Sequence, residues 1–160
     1  QATPVCATIG PGGMPCSGYV RYPSPGVIRL GGGPNNDDVD VTGMTGTLSS
    51  TLTLDVTRDV TVTFDWVIRV NRELETVEFG RIRVSLSNDW RPVVQLHGDN
   101  NGIEQHNNHK FSSGTSVQVF TNKSAGGHTF KIEGFQNSKT NLYEEVLITV
   151  TNVVVTSVPS

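Results

Sequence analysis

The sequence has no long apolar run and no excess of basic residues, and each absence argues against a class of protein. No stretch approaches the roughly 18 consecutive apolar residues that a membrane-spanning helix needs. The 160 residues include 12 Lys and Arg against 15 Asp and Glu, a net charge of −3. Nucleic acids and anionic membrane surfaces attract basic faces, so we expect neither as a partner. The missing apolar run predicts that no segment spans a membrane.

Catalytic motifs are also missing. The chain contains no G-x-S-x-G, no H-E-x-x-H and no G-x-x-x-x-G-K-[ST] sequence, which would mark a serine nucleophile, a zinc site and a phosphate loop. Its Glu residues are scattered through strand faces and turns, so they do not indicate a pair of catalytic carboxylates. The sequence therefore predicts a protein that is not an enzyme.

Cysteine is scarce, and the two residues present lie ten positions apart. Cys6 and Cys16 flank a turn-forming run, Ile9-Gly10-Pro11-Gly12-Gly13. A first residue Gln1 instead of Met predicts that a leader is removed and the protein secreted. In an oxidising compartment a Cys6–Cys16 disulfide is the favoured interpretation. A metal pair is the alternative, although there is no CxxC and no nearby His.

The clearest element predicted from the sequence is a long strand over Asp59–Val70. Apolar residues occupy every even position from Val60 to Val70, and polar residues occupy the odd ones except for Val67. A period of two places the even set on one face of a β-strand. A strand with one apolar and one polar face is typical of an antiparallel sheet.

Composition divides the chain at about residue 34. Five of the eight prolines lie in the first 25 positions, together with many glycines, and no alternating pattern is sustained there. We therefore predict an extended N-terminal arm over residues 1–34 and a folded domain over 35–160. The arm either packs on its own domain or reaches a neighbouring molecule.

Beyond residue 38 the chain alternates between short strand patterns and turns. Such spacing, without a periodic helix, predicts an all-β fold of two antiparallel sheets, either a sandwich or a jelly roll. At the end, Val153 and Val155 make the second face of the final strand apolar as well. Something is therefore expected to cover that face.

Four segments of the domain resemble one known superfamily. They are Val60–Trp66 (VTVTFDW), Gly80–Leu86 (GRIRVSL), Ser124–Ile132 (SAGGHTFKI) and Val146–Val153 (VLITVTNV). In this order they resemble the jelly-roll heads of the tumour-necrosis-factor and complement-head superfamily, over about residues 48–155. The resemblance implies a jelly roll that works as an oligomer.

Acidic and amide side chains are the strongest ligand signal. Asp37, Asp38 and Asp40 place three carboxylates within four residues, and Asp99 begins a second cluster, Asp99-Asn100-Asn101-Gly102. Calcium prefers six to eight such oxygens, so Asp37, Asp38, Asp40 and Asp99 are candidate Ca²⁺ ligands. The alternative is an ordinary Asx-rich turn.

Other candidate contacts are polar or aromatic residues in predicted loops. Trp90, in the predicted turn 88–92, is a candidate for sugar stacking or partner contact together with Asn100 and Asn101. Asn122 begins the sequon Asn122-Lys123-Ser124 and is a candidate for N-glycosylation. His106 and His109 are a weaker metal candidate than a solvated polar loop.

Two functions agree with these features. The first is a secreted structural subunit that assembles with itself into an extracellular filament or surface appendage through its arm. The second is an oligomeric ligand-binding head that recognises a carbohydrate or a receptor. The Pro- and Gly-rich arm and the apolar tail favour the first, whereas the polar loop 97–110 and Trp90 favour the second.

Overall fold

The protein is an all-β molecule in the computed structural model, which describes residues 19–32, 40–100, 108–140 and 143–160. Nine strands and no helix occur in these ranges. The strands are β1 (Val20–Arg21), β2 (Val27–Gly31), β3 (Val41–Leu54), β4 (Arg58–Asn71), β5 (Phe79–Leu86), β6 (Asp89–His97), β7 (His109–Lys123), β8 (Gly126–Lys139) and β9 (Glu145–Pro159). No helix in the described residues could therefore cross a bilayer.

The strands form two antiparallel sheets, as the sequence predicts. The first has the order β1-β2-β9-β4-β7 and the second the order β3-β8-β5-β6. The pairing is nested along the chain: β2 pairs with β9, β3 with β8, β4 with β7 and β5 with β6. The chain therefore forms one long hairpin, in which the strands of its first half pair in order with the strands of its second half.

Strand β4 confirms the interpretation of Asp59–Val70. The side chains of Val60, Val62, Phe64, Ile68 and Val70 are fully buried, while Val67 is 41% exposed. β4 lies between β9 and β7 in the first sheet. Its central position explains the long alternating pattern, because a strand with two neighbours and one buried face must keep a strict period.

The core lies between the two sheets and depends on small residues where the sheets approach closely. Ile28, Ile68 and Ile148 of the first sheet are fully buried, and so are Ile82 and Val84 of the second. A Cβ placed on Gly134 would lie 2.6 Å from Cδ1 of Ile148. Any larger residue at this position of β8 would therefore have to displace the end of the Ile148 side chain.

The described part of the predicted arm differs from the expectation. Residues 20–21 and 27–31 form β1 and β2 of the first sheet, and Val20, Ile28 and Leu30 are buried in the core. These strands are short, and β1 pairs with β2 while β2 pairs with β9. Local composition does not reveal such distant pairing. Residues 1–18 lie outside the described residues.

The region around Trp90 also differs from the prediction. Ser87 and Asn88 both have positive φ, 49° and 66°, and form a two-residue hairpin turn between β5 and β6. Trp90 consequently lies within β6 and not in a loop. β6 is an edge strand of the second sheet and begins at Asp89.

Candidate functional site

Strand β9 is paired on both edges along its first half, whereas along its second half a described strand pairs with only one edge. Its proximal part, 145–149, pairs with β2 on one edge and with β4 on the other. The last bond to the β1–β2 hairpin runs from the Val150 N–H to the Gly26 carbonyl, at 2.8 Å. From Thr151 to Pro159 only β4 pairs with β9 among the described residues. We call residues 151–159 the distal half of β9 and its unpaired side the free edge.

The β1–β2 hairpin ends at this point for a local reason. Gly26 has a φ of +78°, and a Cβ there would lie 2.5 Å from the Val150 carbonyl oxygen. Pro23 and Pro25, just before it, cannot donate a backbone hydrogen bond. The turn thus stops the hairpin against Val150 and leaves the line beyond β2 unoccupied by any described strand.

A β-bulge at Asn152 sets the direction of the side chains in the distal half. Asn152 has a φ of +54°, and the register with β4 shifts between Thr63 and Asp65. After the bulge Val155 pairs with the inward-facing Val62. The extra residue returns Val153 and Val155 to the inner face, which corrects the expectation that they lie on the outer one.

An apolar groove opens beside the free edge. Its volume is about 250 Å³. β9 contributes Val150 and Val153, the β1–β2 turn contributes Gly26, and the second sheet contributes the remaining lining residues, Leu48, Ser49, Ser50, Phe130 and Ile132. None of these side chains carries a charge. The groove therefore suits an uncharged, largely apolar segment.

Both faces of the distal half are apolar and exposed. Val153 and Val155 on the inner face are 46% and 40% exposed, and Val154 and Val158 are 53% and 60% exposed. Val154 and the exposed Val117 of β7 both pair with Thr63, so they lie in one cross-strand row. Contiguous exposed apolar surface of this kind marks contact sites more often than free solvent faces.

Two carboxylates fix the distal half to the rest of the first sheet. Asp65 accepts hydrogen bonds from the Asn152 amide at 2.8 Å and from the Thr115 hydroxyl at 2.6 Å, and these bonds lower its pKa. Asp59 accepts from the Asn122 backbone N–H and the Ser160 hydroxyl, which lower its pKa in the same way. The free edge is therefore held in place although one side lacks a partner.

The second candidate surface surrounds Trp90 on the outer face of the second sheet. The Arg83 guanidinium lies 4.0 Å from the centre of the indole ring and makes two hydrogen bonds to Glu133 at 2.6 and 3.1 Å. Arg81 lies 4.5 Å from the ring centre of Phe135. Trp90 is half-buried, and one of its faces is already covered by Arg83.

The predicted calcium ligands are not brought together where the structure describes them. Asp40 is exposed just before β3, whereas Asp99 follows β6, and these strands form opposite edges of the second sheet. Asp99 forms ion pairs with Arg72 and Lys110. Asp37 and Asp38 lie outside the described residues. Within the described ranges, no three His, Cys, Asp or Glu side chains are placed to share a metal ion.

The remaining candidates have separate environments. Asn100 donates from its amide to the carbonyl and carboxylate of Glu73. Asn122 is exposed near the end of β7 with a φ of +54°. His128 contacts the Ser87 hydroxyl at 2.6 Å and the Ser124 carbonyl at 2.7 Å, joining two turns. Cys6, Cys16, Asn101 and His106 lie outside the described residues.

Sequence reasoning identified the apolar tail but missed the groove beside it. Leu48, Phe130 and Ile132 occur in ordinary alternating strands, so only the nested pairing shows that they face the free edge of β9. The chain matches no protein-family model, and no curated protein matches it significantly. Function is therefore inferred from the geometry of these surfaces.

Proposed function

We propose that the protein is a secreted, non-enzymatic structural subunit that assembles with itself into an extracellular filament or surface appendage. The observation that carries this proposal is the free edge of β9, with exposed valines on both faces and an apolar groove at its side. An unpaired strand edge is a template for a strand of another chain. In this protein the edge is long and lacks the charged residues that normally block such pairing.

The geometry of such a contact favours a polymer. A segment of one copy that binds a different surface of the next copy makes a heterologous contact. Heterologous contacts continue in one direction and give open filaments unless the rotation closes a ring. The N-terminal arm is the proposed connector, because residues 1–18 precede β1 at the margin of the first sheet.

The fold we propose is a jelly roll. Its support is the nested pairing of β2 to β9 and the split into the orders β2-β9-β4-β7 and β3-β8-β5-β6, since a jelly roll is an eight-stranded double sheet of two Greek keys. The relationship to tumour-necrosis-factor-like heads stays a prediction, as does secretion.

Electron microscopy of the purified full chain tests the function directly. We expect fibres above a threshold concentration, and sedimentation of most of the protein. The free edge also predicts that Val154→Lys raises this threshold, because charges on an edge strand disfavour pairing. Val77→Lys is the matched control, since Val77 is 72% exposed in a loop away from β9. Discrete particles at every concentration would contradict the proposal.

A ligand-binding head is the second candidate, favoured by the aromatic and arginine residues around Trp90. A planar indole beside paired Arg and Glu side chains suits recognition of a sugar or of a polar partner surface. Glycan-array binding that disappears in Trp90→Ala but persists in Val77→Ala would support this function. Glycosylation at the exposed Asn122 would be seen as a mass increase that a glycosidase removes.

Calcium binding through Asp37, Asp38 and Asp40 is a proposal of its own. The ion pairs of Asp99 with Arg72 and Lys110 compete with a role for that residue. A ligand that binds only the folded state raises the melting temperature as its concentration rises. We expect a higher melting temperature in millimolar calcium than in chelator, and an unchanged curve would contradict the site.

A further inference from the structure

The groove and the free edge together have the form of a missing strand. β2 begins at Val27, which pairs with Thr149 of β9, and the line of β2 extended past Val27 runs along the distal half. A segment placed there would lie about 4.8 Å from β9 and pair with its free edge. Alternate side chains of that segment would enter the groove above Phe130 and Val153. The site therefore calls for an extended, uncharged peptide with apolar residues at every second position.

One segment of the chain outside the described residues fits this requirement. In residues 3–9 the apolar side chains of Val5, Ala7 and Ile9 alternate with Cys6 and Thr8. The first 20 residues contain no charged side chain. By contrast, segment 33–39 carries two aspartates, and segment 101–107 carries a glutamate and a histidine. Both of those segments are also tied at each end to described residues.

The length and direction of the arm determine whether it can enter the groove of its own molecule or only that of a neighbour. Val20 and Val146 both pair with Leu30, so they lie at one level of the sheet. Val153, which lines the groove, lies seven residues further along β9, or about 23 Å. β1 runs parallel to β9, so the chain enters Val20 from the end of the sheet opposite the groove. Closure of a Cys6–Cys16 disulfide would leave Cys6 within about 21 Å of Val20, from about 14 Å of extended chain and about 7 Å across the bridge.

We propose that the groove beside the distal half of β9 is an acceptor site for residues 3–9 of a second copy of this chain. The donated segment adds a strand next to β9 and places Val5, Ala7 and Ile9 over Phe130 and Val153, in the manner of β-strand addition. This inference rests on the proposed self-assembly and names the two surfaces that perform it. Each copy donates one segment and accepts one, so the contact repeats along a filament.

Two pairs of variants of the full chain test the two surfaces. Val153→Glu places a charge in the groove, and Val77→Glu makes the same change at a valine that is 72% exposed in a loop away from β9. Ile9→Asp and Ser17→Asp are the matching pair in the arm, since Ser17 lies outside the donor segment. A charge in an apolar site without a partner is costly, so Val153→Glu and Ile9→Asp are expected to raise the assembly threshold at least about tenfold. The two controls are expected to assemble within about twofold of the unchanged protein.

A mixture of the two defective variants distinguishes insertion of an arm into the groove of another copy from insertion into the groove of its own copy. Ile9→Asp retains an intact groove, and Val153→Glu retains an intact donor segment. The mixture should therefore form a discrete complex of one copy of each and then stop, as light scattering would show by a doubled mass. If no complex forms, each arm fills its own groove or neither groove is used, and the proposal is wrong.

A peptide of residues 1–10 with Cys6→Ser provides a measurement independent of folding defects. Added to the unchanged protein, it should occupy grooves and slow filament growth, while the same peptide with Ile9→Asp should not. Assembly that proceeds normally with Val153→Glu and with the peptide would overturn the acceptor site and leave the proposed function standing. Symmetric dimers joined through two β9 edges would also overturn it. A full chain that never assembles would overturn both.

Discussion

At the scale of single residues, Gly26 decides where the β1–β2 hairpin stops and the acceptor groove begins. Its positive φ and its 2.5 Å approach to the Val150 carbonyl leave no room for a side chain. Gly127 is the useful contrast, since a Cβ there would have no atom within 4 Å. The two glycines therefore have different roles although the sequence presents both as turn residues.

This contrast makes a stability prediction. Gly26→Ala should destabilise the fold by about 1–2 kcal/mol from the left-handed backbone alone, with a further cost for the contact with Val150. Gly127→Ala should change stability by less than about 0.5 kcal/mol. Chemical denaturation of both variants at a concentration below assembly measures the difference. Equal stability of the two variants would contradict the assigned role of Gly26.

The Asp65 carboxylate predicts how the bulge responds to pH. The hydrogen bond from Asn152, followed by that from Thr115, holds the pKa of Asp65 below its ordinary value of 3.8. A lowered pKa in the folded state gives stabilisation that is complete above about pH 3.9 and is lost as the pH falls through the lowered value. Acidification should therefore loosen the distal half of β9 only below about pH 4.

Nuclear magnetic resonance measures this titration at the Asn152 side-chain amide. Its resonances should shift as Asp65 takes up a proton, with a midpoint below the ordinary aspartate pKa. The Asp55→Asn variant serves as the control, because Asp55 bonds to Arg58 in the turn between β3 and β4. A midpoint at or above the ordinary value would show that the hydrogen bonds do not hold the carboxylate.

At the scale of elements, β9 consists of two halves with different structural roles. Val146 and Ile148 in the proximal half are fully buried, whereas all residues from 151 to 160 are exposed. The proximal half is also held by Glu145, whose carboxylate lies 2.7 Å from the Arg29 guanidinium. The apolar residues of the proximal half stabilise the single molecule, and those of the distal half serve contacts outside it.

Truncation in each half tests this division. Ile148→Ala should destabilise the single molecule by about 2–5 kcal/mol, because it leaves a cavity between the sheets. Val153→Ala should cost much less in the single molecule, since the side chain is 46% exposed, yet it should still weaken assembly. Denaturation below the assembly threshold and sedimentation above it separate the two effects. A large loss of stability in Val153→Ala would show that the distal half belongs to the core.

The sequence predicts the elements whose pattern is local and misses those that depend on distant partners. β4 is recognisable because it is paired on both edges and buried on one face, so its apolar side chains keep a period of two along the whole strand. β1 and β2 are not, because Pro23, Pro25 and Gly26 obscure two short strands, and only β2 pairs directly with the distant β9. The bulge at Asn152 is likewise invisible, since one extra residue changes the phase of every side chain after it.

The sequence likewise predicts the local part of the candidate site and misses the part that depends on distant residues. The sequence shows that the apolar tail 153–155 makes both faces of the final strand apolar, but it does not show why. The groove is not, because Leu48 and Phe130 are far from Val153 along the chain and meet it only through the order of the sheets. The sequence predicts a loop at Trp90 because the turn residues Ser87 and Asn88 lack the glycine that usually marks a two-residue hairpin.

At the scale of the whole molecule, the start of β1 and the groove lie at different places on the first sheet. The chain enters β1 at the outer margin, level with Val146, while the free edge begins beyond Val150. A subunit with both surfaces satisfied would have no free edge left on β9. Only the two ends of a filament would then expose an empty groove or an unused arm.

The predicted disulfide determines which groove the arm can reach. Residues 1–18 would span about 60 Å if fully extended, enough for the arm to enter its own groove. A closed Cys6–Cys16 bridge keeps Cys6 within about 21 Å of Val20, and the chain enters β1 from the end of the sheet opposite the groove, so the bridge favours a neighbour. Reduction before assembly should therefore shift the protein towards self-filled single molecules and lower the yield of filaments. Intact mass under non-reducing conditions verifies the bridge first, and two alkylatable thiols in fresh protein would contradict it. If the bridge is present and reduction leaves assembly unchanged, the length of the arm does not select the neighbour.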